Sequence, residues 1–424
     1  MARSDSPRIA ILGAGPIGLE AALCAAHLKL PFTVYERGRV GEHMRQWGHV
    51  RLFSPFGMNR TQLGLDAIRT EAPQHALPGE GDCITGREHL AAYLEPLANS
   101  RLLREHVQTE TAVLSIGRRG YLKGDSPGDA KRGQQPFLLL LRDNKKRERV
   151  EEADVVIDCT GTYAHHRYLG EGGMPAVGEI GARPHIAYSL EDVLGDKRAA
   201  YADKNVLVVG AGYSAATTVC NLTRLAEKHP STWVVWLARG SGTQPIKRIV
   251  NDPLRERDQL AVRANMLATR GDGNVEFHAQ TVVESVECES LDKGFKVRGR
   301  CAGKPMSWDV ERVVANVGYT PNTDLYRELQ VHECYASLGP MALAAALSKY
   351  AGGDCLTIPA QGAVTLRNPE PNFFILGSKS YGRNSHFLLR TGFEQVREAF
   401  ALIAVNSELK SRYFALTRLS KLPG

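Results

Sequence analysis

Gly13-Ala14-Gly15-Pro16-Ile17-Gly18 and Gly210-Ala211-Gly212-Tyr213-Ser214-Ala215 are the two stretches that decide the fold. Each follows an apolar, strand-like run and opens a helix-like segment. In that context the spacing predicts a dinucleotide-binding turn. The first glycine permits the turn, the second lets the backbone approach a pyrophosphate, and the third position, Gly or Ala, brings helix and strand together. Unpaired N–H groups at the helix start would then face the phosphates. Two such turns predict two dinucleotides and electron transfer between them.

The residue at the end of the second strand distinguishes the two sites, because it contacts the adenosine ribose in such units. Glu36 holds this position after the first turn, where a carboxylate suits the ribose hydroxyls of FAD or NAD. Arg239 holds it after the second turn, where a guanidinium suits a 2′-phosphate. We therefore predict FAD at the first turn and NADPH at the second. An ordinary surface acid and an ordinary exposed arginine are the alternative interpretations.

Composition sets limits on the class of protein. The 424 residues are enough for two or three domains, and the net charge of +7 would suit anionic cofactors or reflect an ordinary solvated surface. No dense basic run with interleaved aromatics is present, which disfavours nucleic acid as a partner. The eight cysteines form no C-x-x-C pair, and no secretory signal precedes them, so reduced thiols and a cytoplasmic location are expected. No apolar stretch reaches the length of a membrane span, and no metal site is predicted.

The order of the segments predicts an α/β fold with two Rossmann-like domains. Both halves run from a glycine turn through a helix to a second strand, and a further strand near residues 372–377 needs a place after both. The simplest arrangement inserts the NADPH domain into a discontinuous FAD domain. The expected limits are 1–169 and 319–424 for the FAD domain and 170–318 for the NADPH domain, with the carboxyl ends of the two sheets facing each other. Residues 117–135, rich in Gly, Arg, Lys and Pro, predict an exposed hairpin tip or loop.

Together these motifs resemble the two-dinucleotide-binding flavoproteins, and among them the flavin-containing monooxygenase-like (class B) enzymes. The run Asp158-Cys159-Thr160-Gly161-Thr162-Tyr163 is similar to the A-T-G linker motif of that family, and Asn316 to Asn322 is similar to its counterpart after the second domain. Gly377 to Val396 would be the returning FAD segment, followed by a C-terminal helix. The resemblance implies that NADPH reduces the flavin, that a flavin hydroperoxide forms with O2, and that a small-molecule substrate is oxygenated.

The sequence departs from the family pattern at one diagnostic place. The stretch F-x-G-x3-H-x3-aromatic is matched only by Gly181-x-x-x-His185, with Glu179 where the Phe would stand and Tyr188 one residue early. A reductase or dehydrogenase that uses NADPH and an acceptor other than oxygen is therefore kept as an alternative. A flavin-binding module without turnover is a further one, and a homodimer is left open. The missing cysteine pair argues against a disulfide reductase.

The candidate site residues follow from these motifs and from one aromatic-rich loop, Gln46 to Arg60, which is typical of a ring-binding loop. An ordinary packed loop is the alternative. No catalytic residue is assigned, and the candidates are Ser54, Asn59 and His185. The predicted cofactor-binding residues are Gly13, Gly15, Pro16, Ile17, Gly18, Glu36, Arg37, Trp47, Thr160, Gly161, Gly210, Gly212, Tyr213, Ser214, Ala215, Arg239, Gly318, Gly377 and Ser378.

Overall fold

A computed structural model describes residues 6–270, 274–350, 353–404 and 409–414. Its contacts divide the chain into two compact units. Unit 1 consists of Met1–Arg45, Ser54–His165 and Thr320–Gly424, and unit 2 consists of Gln46–Phe53 and His166–Tyr319. Unit 1 is therefore discontinuous and unit 2 is inserted into it, as the fold class predicted. Segment Gln46–Phe53, which the sequence analysis placed in the FAD domain, is grouped with unit 2 by its contacts.

The regular elements are numbered here in chain order. Strands β1–β15 are Ile9–Leu12, Phe32–Tyr35, Val107–Gln108, Thr111–Arg118, Phe137–Asp143, Glu148–Ala153, Val155–Asp158, Asn205–Val209, Trp233–Leu237, Val275–His278, Thr281–Glu287, Phe295–Cys301, Lys304–Val310, Arg312–Ala315 and Phe373–Ile375. Helices α1–α12 are Pro16–His27, Glu42–Gln46, Gln62–Glu71, Gly86–His89, Glu95–Ala98, Glu179–Ala182, Arg198–Tyr201, Tyr213–Ala226, Arg255–Arg270, Met341–Ser348, Ser378–Tyr381 and Leu389–Ile403. The C-terminal helix expected after the return segment is α12, and residues 415–424 lie outside the described residues.

The main sheet of unit 1 has the strand order β15-β7-β1-β2-β3 and is parallel throughout. All four residues of β1 are buried, which is why its sequence is a continuous apolar run, as is typical of parallel strands covered on both faces. Strand β15 pairs with β7 and so returns to the sheet that β1 opened. Helix α12 then packs against α1. The return segment thus lies beside the first glycine turn, as predicted.

Unit 2 contains a second parallel sheet, with the order β10-β9-β8-β14. Helices α8 and α9 pack against each other in this unit, and residues of both belong to a core that includes the fully buried Trp236. Each unit also carries a three-stranded antiparallel sheet, β4-β5-β6 in unit 1 and β11-β12-β13 in unit 2. The parallel sheets are the parts that position the glycine turns.

The connection between β4 and β5 differs from its prediction. It joins two antiparallel strands, as a hairpin does, but Arg132 within it is completely buried. Glu370 accepts hydrogen bonds from Arg118 Nε and Arg132 Nη2, both at 2.8 Å, and all three side chains are inaccessible to solvent. The expectation of an exposed loop is therefore wrong at Arg132. Its charge is tolerated because a carboxylate from distant sequence pairs with it.

No helix within the described ranges has the length and hydropathy needed to cross a bilayer. No group of three or more His, Cys, Asp or Glu side chains is arranged there to hold a metal ion. All eight cysteines are free thiols.

Candidate functional site

The first glycine turn lies between β1 and α1, and its three glycines differ in what an added side chain would meet. Gly13 has φ of +96°, and a Cβ there would lie 2.9 Å from the Cys159 carbonyl oxygen. A Cβ on Gly18 would lie 1.8 Å from the Gly13 carbonyl oxygen. Gly15 has an ordinary φ of −84°, and its Cβ would meet nothing within 4 Å. The chain's own packing requires glycine at the first and third positions, whereas no described part of the chain requires it at Gly15.

The start of α1 is suited to an anion. Gly15 is the N-cap and offers no side-chain cap, and the first turn of the helix contains no acidic residue. Open space next to Gly15 therefore adjoins backbone N–H groups that lack an intrahelical partner. This is the arrangement that binds phosphate at helix starts.

Glu36 lies against the first turn, where the ribose partner was predicted. Its Oε2 accepts a hydrogen bond from Ala14 N and its Oε1 accepts one from Gly38 N, both at 2.8 Å. The carboxylate is thereby fixed, and each oxygen keeps a second lone pair that a ribose hydroxyl could use. Arg37 beside it is exposed, and its Nη2 lies 3.5 Å from His43 Nε2.

Two further predicted turns of unit 1 adjoin the first one. Gly161, with φ of +67°, follows β7, and its Cβ would lie 3.4 Å from Ser378 Oγ. Gly377, with φ of +72°, follows β15, and its Cβ would lie 3.2 Å from Ile17 Cγ1. The carboxyl ends of β1, β7 and β15 therefore bring these predicted residues together, at the edge where open α/β sheets bind ligands. Thr160, also predicted, donates from its N and its Oγ1 to Asp158 Oδ1, at 3.0 and 2.7 Å.

The sequence analysis missed the ion pair beneath these turns. Lys379 Nζ lies 2.6 Å from Asp158 Oδ2, and neither side chain is exposed. The signal that could have found it is a lysine directly after the predicted Gly377-Ser378 turn. A buried lysine needs a carboxylate close by, and Asp158 ends the neighbouring strand.

The second glycine turn, between β8 and α8, repeats the geometry of the first. Gly210 has φ of +142°, and its Cβ would lie 2.3 Å from the Asn316 carbonyl oxygen and 3.3 Å from Ala215 Cβ. Gly212 has φ of −103°, caps α8 without a side chain, and its Cβ would meet nothing within 4 Å. Here too the middle glycine leaves open space at a helix start. Both turns thus leave open space at an uncapped helix start, and we call the spaces at Gly15 and Gly212 the two cradles.

The other predicted residues of unit 2 lie around this turn or beyond it. Tyr213 starts α8, and its ring centroid is 5.4 Å from that of Phe53, a residue that the site prediction did not include. Ser214 beside it is half-buried. Gly318, with φ of +90°, accepts a hydrogen bond from Arg167 N at 2.9 Å. Trp47 is half-buried in the segment that groups with unit 2 and not with unit 1.

Arg239 lies in the exposed stretch after β9, where the 2′-phosphate partner was predicted. Among the described residues its guanidinium has no hydrogen-bond or ion-pair partner. By contrast, Arg248 further along pairs with Asp258 at 2.9 Å. Arg239 is therefore a cation that the fold has not already neutralised.

The catalytic candidates Ser54 and Asn59 hold a turn in the structure. Ser54 Oγ donates to Asn59 Oδ1 at 2.9 Å, and Asn59 Nδ2 donates to the carbonyl oxygens of Ser54 and Pro55 at 2.9 and 3.1 Å. Both residues are buried. Their donors are used within residues 54–59, and their assignment as catalytic candidates stays a prediction.

His185 and the degenerate family stretch around it also have a mainly structural setting. His185 is half-buried and ends a short 3₁₀ turn. Glu179, which stands where the family has Phe, is fully buried and accepts hydrogen bonds from Leu169 N, Ala176 N and Tyr188 Oη at 3.0, 2.8 and 2.7 Å. The Tyr188 ring stacks on His166 with centroids 3.5 Å apart. The substituted position thus organises the backbone of its segment through polar contacts.

His89 gives the Ser54–Asn59 turn a pH dependence. It is completely buried, its Nε2 lies 2.9 Å from the Asn59 carbonyl oxygen, and burial lowers its pKa to about 4. The unfolded chain binds a proton at the ordinary value near 6.5, so the stability present above that pH is lost as pH falls from about 6.5 to about 4. We expect His89 to remove about 3 kcal/mol of unfolding free energy over that window. Urea unfolding at several pH values should show a smaller loss for His89→Gln, whereas His386→Gln, at an exposed histidine, should keep the native dependence.

Comparison with known proteins adds three findings. Residues 10–122 match the pyridine nucleotide-disulphide oxidoreductase family. The flavin-containing monooxygenases 1 of Sus scrofa and Homo sapiens are each 26% identical over 251 residues, or 57% of this chain and 42% of theirs. The chain thus spans about two fifths of the length of these curated relatives.

Solved structures share the fold over nearly the whole chain. The bacillithiol disulfide reductase of Bacillus cereus has a TM-score of 0.67 at 15% identity, covering 97% of this chain and 100% of its own. The ornithine N-hydroxylase of Kutzneria sp. 744, solved with reduced FAD, NADP+ and L-ornithine, has a TM-score of 0.60 at 16% identity, with coverages of 94% and 99%. The predicted fold class and the predicted resemblance are confirmed.

Proposed function

We propose that this chain, whose sequence resembles the flavin-containing monooxygenases, is an NADPH-consuming monooxygenase. Its substrates are O2 and a small molecule. The observation that carries this proposal is the pair of matched cradles at Gly15 and Gly212, each open at an uncapped helix start. One cradle alone would suit a simple dehydrogenase, whereas two suit hydride transfer from one dinucleotide to another.

The cofactors are FAD and NADPH, and the residues present fit both. FAD fits the turns of unit 1, where Gly15 leaves room for pyrophosphate and Glu36 is fixed at the ribose position. NADPH fits the turn of unit 2, with Arg239 free for a 2′-phosphate. When bound, the flavin accepts a hydride from the nicotinamide and passes electrons to oxygen. The chain's part is to bind, orient and shield the two dinucleotides.

The cysteines near the first turn support oxygen rather than a disulfide as the acceptor. Cys159 is the cysteine whose carbonyl oxygen would lie 2.9 Å from a Cβ added at Gly13. Burial, together with the neighbouring Asp158, raises the pKa of its thiol. Burial also raises the pKa of Cys24 in α1. Both stay protonated near neutral pH and are poor nucleophiles for thiol exchange. No C-x-x-C pair supplements them.

An NADPH-dependent reductase is the second candidate, favoured by the fold shared with the bacillithiol disulfide reductase. Oxygen uptake, NADPH oxidation and peroxide release, measured together over a panel of amines, sulfides and ketones, distinguish the two. The proposal predicts at least one substrate whose oxygenated product matches the NADPH consumed. Recovery of all the NADPH as peroxide with every substrate, together with rapid turnover on an added electron acceptor, would favour the reductase. A flavin-binding module without turnover would oxidise no NADPH.

We expect Arg239 to set the preference for NADPH over NADH. Removing a charge-assisted contact to the 2′-phosphate should cost about 1.5–3 kcal/mol, so the dissociation constant for NADPH in Arg239→Ala should rise about tenfold or more. NADH lacks that phosphate, and its affinity should change little. Arg248→Ala is the matched control, because Asp258 already holds that guanidinium. A native protein reduced equally fast by both coenzymes would refute this assignment.

A further inference from the structure

A buried ion pair joins two of the turns that form the proposed FAD site. Asp158 is the last residue of β7, and its main chain is held on both sides: it is in register with Leu12 of β1 and with Ile375 of β15. Lys379 follows β15 and lies in the first turn of α11. The 2.6 Å contact between Asp158 Oδ2 and Lys379 Nζ therefore links the ends of two adjacent strands.

The contacts of this pair are directed at the turns rather than at the rest of the core. Lys379 Nζ also lies 3.0 Å from Thr160 Oγ1, and Asp158 Oδ1 accepts from both Thr160 N and Thr160 Oγ1. The Lys379 ammonium group also lies 5.1 Å from the centroid of the Tyr326 ring. Apart from the bond between the two partners, the side-chain hydrogen bonds of the pair within the described part of the chain go to Thr160, the residue next to Gly161.

The spacing that results is tight. A Cβ on Gly161 would already lie 3.4 Å from Ser378 Oγ, so the turns after β7 and β15 are in near contact. A small movement of Lys379 would change the gap between the turns after β7 and β15, and with it the surface that these turns form. Two opposite charges buried without solvent are costly unless both stay paired. A purely apolar link between the two strands would avoid this desolvation cost.

We propose that Asp158 and Lys379 are positioning residues for the flavin: their cross-link sets the separation of the Thr160–Gly161 and Gly377–Ser378 turns. This inference rests on the proposed FAD site in unit 1. It assigns two different effects to the pair. The cross-link controls the affinity for FAD. The two charges cancel, so the surface that the two turns form stays neutral, and this neutrality controls the flavin midpoint potential.

The test compares Lys379→Met, Asp158→Asn and the double variant with the native protein. We expect the dissociation constant for FAD, measured by fluorescence titration of the apoprotein, to rise about tenfold in all three, because each lacks the charged hydrogen bond across the turns. The midpoint potential should fall in Lys379→Met, since a carboxylate left alone opposes the charge that reduction adds. It should return toward the native value in the double variant, where neither charge remains.

A second buried ion pair in the same unit provides the structural control. Arg118 pairs with Glu370 at 2.8 Å, with neither side chain exposed, at the β4 side of the unit. Arg118→Met should lower the unfolding free energy yet keep the native FAD affinity and potential. If a single variant of the Asp158–Lys379 pair fails to fold, the double variant decides, because it leaves no uncompensated charge.

The outcomes separate this inference from the proposed function. Native protein that binds no FAD would overturn the proposed function itself. Native protein that binds FAD while Lys379→Met and the double variant bind it equally well, at an unchanged potential, would overturn only the positioning role. An equal loss of affinity in Arg118→Met would also overturn it, because the effect would then be general destabilisation.

Discussion

Gly15→Val should abolish FAD binding while leaving the fold intact. The backbone at Gly15 has φ of −84° and ψ of −175°, which a valine adopts, and no atom of the chain lies within 4 Å of the added Cβ. The new side chain occupies the space over the start of α1 that the pyrophosphate needs. Losing two charge-assisted hydrogen bonds to phosphate, at about 1.5–3 kcal/mol each, weakens binding by about 100-fold or more. The purified variant should be colourless and apo by absorbance.

The matched control for this change is Gly117→Val in strand β4. Gly117 also has no neighbour within 4 Å of a built Cβ, so the two variants add the same side chain to equally open positions. Gly117→Val should keep its FAD and unfold like the native holoprotein, whereas circular dichroism and thermal unfolding of Gly15→Val should resemble the native protein stripped of its flavin. A folded Gly15→Val protein that keeps a full complement of FAD would show that the flavin binds elsewhere.

Gly212→Val should block the nicotinamide coenzyme and spare the flavin. The position is extended, with φ of −103° and ψ of 177°, and its Cβ would meet no atom within 4 Å. We expect the protein to purify yellow, with native FAD content, but NADPH should fail to reduce it at concentrations that saturate the native protein. The affinity for NADPH should fall by about 100-fold or more, because the lost contacts are of the same kind as those lost in Gly15→Val.

Chemical reduction provides the control for this second variant. Dithionite should bleach the flavin of Gly212→Val as fully as that of the native protein, which shows that the flavin itself is competent. Native rates of reduction by NADPH in this variant would contradict the placement of the coenzyme at the second turn. Together, the two valine variants assign one dinucleotide to each cradle.

The sequence was sufficient for the parts of the fold that rest on local signals. Glycine spacing identifies both turns because a Cβ at Gly13 or Gly210 collides with a neighbouring strand end, whatever the rest of the chain does. Buried runs such as β1 identify central parallel strands. The return strand β15 was predictable because the first sheet lacked a strand and one apolar run had no other place.

The sequence was insufficient where the partner lies far along the chain. Asp158 and Lys379 are 221 positions apart, and Arg132 and Glu370 are 238 apart, so no local pattern marks these charges as buried pairs. The same limit applies to Ser54, a catalytic candidate whose hydroxyl donates a hydrogen bond within a turn. Polar residues in a cofactor-binding protein are thus ambiguous until their partners are known.

The assignment of the remaining predicted residues stays a set of predictions. They include the domain limits, the site residues and the contact of Trp47 with a flavin. Trp47 itself groups with unit 2. Glu36 is the best positioned of the set, because two backbone N–H groups fix its carboxylate at the first turn.

The central claim is that a hydride passes from NADPH to an FAD held by this chain. It is tested most directly by mixing the purified, FAD-loaded protein with NADPH in the absence of oxygen and following the visible absorbance of the oxidised flavin. We predict that the absorbance is lost in a single turnover, faster with NADPH than with NADH. A flavin that is bound and reducible by dithionite, yet stays oxidised with either coenzyme, would contradict the account.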